Sequence, residues 1–225
     1  MEIEIYADVV CPWCYIGTRR LTEALESFDG EVSVRYRPFQ LDPSPVPEPR
    51  PTLAMLAEKF GGPDRARQIT EHTASVAAGA GLELRFDRAV TANTFDAHRL
   101  VWFAQQRADS AAAQGAGSVE PQAGPAELLK ALYRAHFVDG VDVGSRAALA
   151  GVAAGVGLDE TEVRRFLDST EGATEVRAAL REAHELGVTS VPMFVLAGRY
   201  AVAGAQEPET LLAALQEVRR REAGS

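Results

Sequence analysis

Cys11 and Cys14 stand three residues apart in the run CPWC and are the only cysteines of a 225-residue chain. Three chemistries use such a pair: half of a tetrahedral zinc site, a structural disulfide, or thiol–disulfide exchange with a substrate. Zinc needs four ligands, usually as two close pairs. The histidines His72, His98, His136 and His184 are scattered singly, so the second pair is missing. A disulfide across two intervening residues closes a very small loop and removes little entropy from the unfolded chain. It makes a poor staple, and a chain this long builds a core without one. Exchange is the chemistry that suits the spacing.

Exchange needs one thiol that ionises readily and a second held behind it. The flanking sequence supplies the elements that position them. In EIEIYADVV, Ile3 and Ile5 alternate with Glu2 and Glu4 before the chain turns apolar, which predicts a strand entering a core. CYIGTRRLTEALESF follows with Ile16, Leu21, Leu25 and Phe28 at helical spacing, despite an early Gly17, and Gly30 marks the stop. A strand running through C-x-x-C into a helix puts Cys11 at the helix N-terminus. Unpaired backbone N–H groups and the positive end of the helix dipole there favour its thiolate. Cys14, one turn further in, is the more sheltered and resolves a mixed disulfide formed at Cys11. Pro12 suits the first turn, where its missing N–H costs little and its fixed φ fits the helix. Trp13 reads either as a partly exposed apolar platform beside the thiols or as core packing.

VSVRYRPF alternates Val32, Val34 and Tyr36 against Ser33, Arg35 and Arg37, a second strand, so the first forty residues form a βαβ unit with a parallel pair. LDPSPVPEPRPT then has five prolines in twelve residues and must be an extended surface connection. Helical patterns follow. Ile69, Thr73, Val76 and Ala80 mark one face, and Ala97, Leu100, Val101 and Ala104 another, with Asn93 and Asp96 placed as a capping pair. ADSAAAQGAGSVEPQAGPAE is small, Gly-rich and aperiodic, and reads as a mobile surface loop. Helices resume through Val176, Leu180 and Ala183, with Gly187 as a C-terminal cap. VPMFVLAGRYAVAG reads as a β-hairpin about Gly198, and PETLLAALQEVRRR as an amphipathic helix through Leu211, Leu215 and Val218. The fold class is therefore α/β, a βαβ…ββα layout with a large all-helical insertion. Residues 1–50 and 188–225 make the α/β domain and 51–187 the inserted helical domain.

Composition narrows the function further. Hydrophobic residues at 46 % and charged residues at 24 % suit a globular protein. A net charge of −9 disfavours nucleic acid and anionic membrane surfaces as partners. No apolar run approaches the roughly 18–20 residues of a membrane helix. MEIEIYADVV does not read as a secretion signal, so a cytoplasmic setting is expected, where a purely structural disulfide would not persist.

DVVCPWCYIG, followed far downstream by LGVTSVPMFVLAGRYAVAGAQ, resembles the DsbA-like branch of the thioredoxin superfamily, and within it the FrnE-like proteins. NTFDAHRL, HFVDGVDV and GLDETEVRRFL extend the resemblance over nearly the whole chain. It implies a thioredoxin fold with a helical insertion, and a dithiol–disulfide oxidoreductase with Cys11 and Cys14 as the catalytic pair. It also implies a cis proline at Val191–Pro192 facing them, with the Val191 backbone available to pair with an extended substrate strand. Pro12, Trp13, Val191 and Pro192 are then the substrate-binding residues. No tightly bound cofactor is implied, only glutathione as a co-substrate. The partners implied are a disulfide-containing protein or a small-molecule thiol, and a cellular thiol reductant. Two departures stand out, since periplasmic members carry a signal peptide and some FrnE-like proteins carry extra C-terminal cysteines.

Two other readings remain. The 2-hydroxychromene-2-carboxylate isomerases and kappa-class glutathione transferases share this architecture but typically use a serine or a single residue with bound glutathione. A glutathione-dependent isomerase or transferase acting on an aromatic small molecule is thus the alternative. A non-catalytic redox sensor is the third reading. Asp8 reads as the polar end of a strand, with tuning of Cys11 or proton relay as its alternative role. His98 reads as a structural histidine on a helix flank unless that helix covers the site, and Arg19 and Arg20 as a solvated face.

Overall fold

The computed structural model describes residues 1–114 and 124–224. Four strands form one sheet: β1 (Glu2–Ala7), β2 (Ser33–Pro38), β3 (Met193–Leu196) and β4 (Tyr200–Ala203), in the order β2-β1-β3-β4. β1 pairs parallel with β2, through Ile3 opposite Val34 and Ile5 opposite Tyr36. It pairs antiparallel with β3, through Ile5 opposite Phe194 and Tyr6 opposite Met193. The two ends of the sequence therefore meet at the centre of the sheet, and this pairing brings the two halves of the site together.

Period-two alternation buries both faces of β1. Ile3, Ile5 and Ala7 join the main core, while Tyr6 packs with Phe39, Ala183 and Val188 on the opposite side. Helix α1 (Pro12–Glu26) and the last helix, α9 (Pro208–Ala223), pack against each other. Leu211, Leu215 and Val218 of α9 form the buried stripe that the sequence predicts. The β3–β4 turn places Ala197 and Gly198 at φ 51° and 64°, the left-handed pair that a tight hairpin needs.

The helices between β2 and β3 are α2 (Thr52–Phe60), α3 (Pro63–Gly79), α4 (Phe95–Ala113), α5 (Pro125–Phe137), α6 (Arg146–Gly155), α7 (Glu160–Asp168) and α8 (Ala173–Glu185). They share one continuous core with the sheet. Tyr15 of α1 stacks on Tyr133 of α5 at 5.0 Å between ring centroids. Arg99 of α4, 1 % exposed, donates to the carbonyls of Phe166, Leu167, Ser169 and Glu171 and so closes the C-terminal end of α7. No helix among the described residues is long and apolar enough to cross a membrane.

Four sequence expectations need correction. Of the stretch 108–127 read as a loop, residues 108–113 belong to α4 and 125–127 to α5, while residues 115–123 lie outside the described residues. Alanine-rich sequence has the propensity to extend a helix that its Gly and Ser content obscured. The buried face of α3 is Ala66, Thr70, Thr73 and Ala77, so Ile69 and Val76 stay half-buried. The N-cap of α4 is Thr94, with the Phe95 N–H donating to Asn93 Oδ1; Asp96 instead pairs with Arg99 and Arg146. Arg20 is buried rather than solvated. It donates to the Ala205 carbonyl and pairs with Glu207, tying α1 to the segment after β4.

Candidate active site

Cys11 is the N-cap residue of α1, with Pro12 in the first turn. Its carbonyl accepts from the N–H groups of Cys14 and Tyr15, and its own N–H donates to the Asp8 carbonyl at 3.1 Å. The Cys11 thiol points across to the Val191 carbonyl, 3.8 Å away. The Val191–Pro192 peptide bond is cis. Both cysteines are free thiols and both are buried, Cys14 completely. Burial pushes the Cys14 thiol well above the ordinary range, and its hydrogen bond and charge interaction with Cys11 push it the same way. Cys14 is thus held as a protonated thiol behind Cys11.

The structure brings together all six residues singled out from the sequence. Cys11, Pro12, Trp13 and Val191 line one groove, with Cys14 directly beneath Cys11. Pro192 sits over Gly17 of α1; a Cβ there would stand 2.8 Å from Pro192 Cγ and 3.2 Å from Phe194 Cζ. A helix-interior glycine with no turn to explain it was the available sign of this close approach. Trp13 is 36 % exposed and tilts toward His72 of α3, with ring centroids 6.5 Å apart. It is the partly exposed platform rather than core.

Asp8 is more than a strand end. It is 1 % exposed, and its Oδ2 accepts from the Leu41 N–H at 2.7 Å. His98 does belong to the surroundings of the site. Its Nε2 lies 3.3 Å from Asp8 Oδ1 but donates to the Phe39 carbonyl at 3.0 Å, which leaves Oδ1 without a hydrogen-bond partner. Three further buried polar atoms lack partners in the protein: Tyr133 Oη, His136 Nδ1 and Thr52 Oγ1. Burial, and then the nearby thiols and Asp8, raise the Tyr133 hydroxyl well above its ordinary range. Burial lowers His136 to about 4, partly countered by Asp8. Tyr133 and His136 come from α5, more than a hundred residues from the cysteines, and nothing in their local sequence marks them.

The groove has a volume of about 900 Å³. The proline-rich segment after β2 forms one wall. It is pinned at one end by the Asp8–Leu41 bond and by Asn93 Nδ2 donating to the Pro43 and Ser44 carbonyls. The Thr91 N–H donates to the Arg50 carbonyl at the other end, beside the Pro51–Val90 bridge. Ile69 of α3 faces this groove, which explains why an apolar position predicted for the core is half-buried. No group of three or more His, Cys, Asp or Glu among the described residues is arranged to hold a metal ion.

Residues 2–216 match the DSBA-like thioredoxin domain family. The chain is similar to a probable DsbA oxidoreductase of Streptomyces coelicolor, with a TM-score of 0.83, 38 % identity, and coverage of 96 % of this chain and 89 % of that one. A 2-hydroxychromene-2-carboxylate isomerase aligns with a TM-score of 0.68 at 18 % identity, covering 100 % and 98 % of the two chains. The cytosolic disulfide reductase DsbM of Pseudomonas aeruginosa, also solved with GSH, aligns with a TM-score of 0.66 at 20 % identity over 98 % and 99 %. These last two likenesses are of fold.

Proposed function

The chain belongs to the DSBA-like thioredoxin domain family, and from that premise we propose that it is a thiol–disulfide oxidoreductase in which Cys11 attacks and Cys14 resolves. The observation that carries this reading is the asymmetry of the pair. Cys11 caps α1 at the edge of an open groove, while Cys14 is fully buried behind it. The Cys11 thiolate attacks one sulfur of a substrate disulfide, forming a mixed disulfide and expelling the other sulfur as a thiolate, which takes up a proton. Cys14 then gives up its proton and attacks Cys11 Sγ, releasing the second substrate thiol. Two electrons pass to the substrate, and Cys11–Cys14 is left as a disulfide. Two equivalents of a cellular thiol, glutathione among the candidates, return it to the dithiol.

Asp8 is placed to take the Cys14 proton, because its Oδ1 is buried without a partner and its charge acts on Cys14. Trp13, Val191 and Pro192 border the attacking sulfur, and we assign them to substrate contact. The segments between β2 and β3, connections as well as helices, supply most of the groove and hence the choice of substrate. We place the reaction in the cytosol, with reduction or isomerisation of disulfides as its net direction; reduction is the activity named for the cytosolic DsbM.

A second reading, a glutathione-dependent isomerase acting on an aromatic molecule, is supported by the isomerase fold and by the apolar groove. It gives Cys14 no role and predicts activity that survives Cys14→Ser. Insulin reduction by dithiothreitol separates the two. Wild type accelerates it and Cys11→Ser does not; equal rates overturn the oxidoreductase reading.

A further inference from the structure

Four large hydrophobic side chains are exposed among the described residues, and three of them, Trp13, Leu41 and Phe60, line the groove beside Cys11. Leu56, Ile69 and Phe137 continue the apolar surface. Exposed apolar side chains gathered on one concave surface mark a binding site rather than chance exposure. Its volume of about 900 Å³ is that of a site for a small molecule, and its wall is fixed at both ends of the proline-rich segment.

The rim carries a net negative charge, and its two cations are already engaged. Asp42, Glu48 and Glu58 face Arg50 and Lys59. Arg50 is held by both carboxylate oxygens of Glu58, at 2.7 and 2.8 Å, and Lys59 lies over the Phe60 ring. An anionic ligand would meet a rim with one more carboxylate than cation, and it would have to compete with Glu58 for Arg50. The one histidine on the lining, His136, is buried and neutral at physiological pH. A neutral apolar ligand meets no such opposition.

We propose that this groove holds the uncharged, apolar portion of a small disulfide substrate next to Cys11 and discriminates against anionic disulfides such as that of glutathione. The proposal rests on the oxidoreductase reading and specifies its substrate class. Glutathione as the recycling thiol needs only to collide with the Cys11–Cys14 disulfide and is not held by the groove.

The test uses the full chain with Cys11→Ser and Cys14→Ser together, so that binding is read apart from turnover. The neutral aromatic fluorophore N-phenylnaphthylamine is titrated into it. The expected result is a saturable rise in emission, reversed by dipyridyl disulfide and not by glutathione disulfide at the same concentration. Adding Leu41→Glu or Phe60→Glu, at positions that are exposed, is expected to weaken binding about tenfold or more while the circular dichroism spectrum stays unchanged. Absence of saturable binding, equal displacement by glutathione disulfide, or displacement by an apolar peptide alone overturns the proposal. Failure of the oxidoreductase reading would show instead in insulin reduction by Cys11→Ser, which this experiment does not measure.

Discussion

Cys11 Sγ lies 3.8 Å from the carbonyl oxygen of Val191, a residue 180 positions further along the chain. The contact joins the turn that starts α1 to the turn that starts β3. It follows from the antiparallel pairing of β1 with β3, where Tyr6 stands opposite Met193. The sulfur proposed to attack and the backbone expected to hold a substrate are thereby fixed by the most buried part of the sheet. A loop-borne thiol would have no such constraint.

Gly17 is the spacer that permits this approach. Gly17→Ala would gain roughly 1 kcal/mol of helix propensity. The added methyl would meet the Pro192 ring at 2.8 Å and Phe194 at 3.2 Å, both rigid groups. The expected outcome in urea unfolding is a net loss of about 1–3 kcal/mol, with a lower rate of insulin reduction. A stabilised variant of unchanged activity would contradict the proposed role of this contact.

Asp8→Asn tests the proton path. The amide keeps an acceptor for the Leu41 N–H and removes the buried carboxylate near Cys14. Resolution of the mixed disulfide is expected to slow by about tenfold or more at neutral pH, with an altered pH profile. Stability should hold or rise, because a buried charge with an unpartnered oxygen is removed. A loss of stability with an unchanged pH profile would make Asp8 structural only.

His136 sets a pH dependence of stability. Its folded value, about 4, lies below the ordinary 6.5 because burial disfavours the cation. Below pH 6.5 the unfolded chain takes up a proton that the folded chain refuses, so stability falls as pH drops and levels off near pH 4. The loss is about 3 kcal/mol. Unfolding of wild type and His136→Gln from pH 7 to pH 4 checks it: the variant should show a flatter slope, and identical slopes would contradict the assignment.

How much of this was legible in the sequence follows from the range of each interaction. The strand–helix boundary at Cys11, the hairpin about Gly198 and the stripe of α9 depend on local periodicity and turn chemistry, and they stand where the sequence puts them. The fold and its family were likewise readable from CPWC and the distant VP element taken together. Tyr133 and His136 were not, because their surroundings come from segments far apart in the chain, and for the same reason Asp8 was readable as a proton relay only as the alternative to a strand end. Arg20 shows the same limit, since its partners Ala205 and Glu207 lie some 185 residues away. Ile69 and Leu41 read as core and connection until the groove gives them a common surface.

The central claim is that Cys11 attacks and Cys14 resolves, and trapping the intermediate tests it most directly. Cys14→Ser and Cys11→Ser are each incubated with insulin, and covalent adducts are measured by intact mass. Cys14→Ser is expected to accumulate a mixed disulfide through Cys11, while Cys11→Ser forms none because its remaining thiol is buried and held protonated. An adduct of equal yield on Cys11→Ser, or none on Cys14→Ser, would contradict the account.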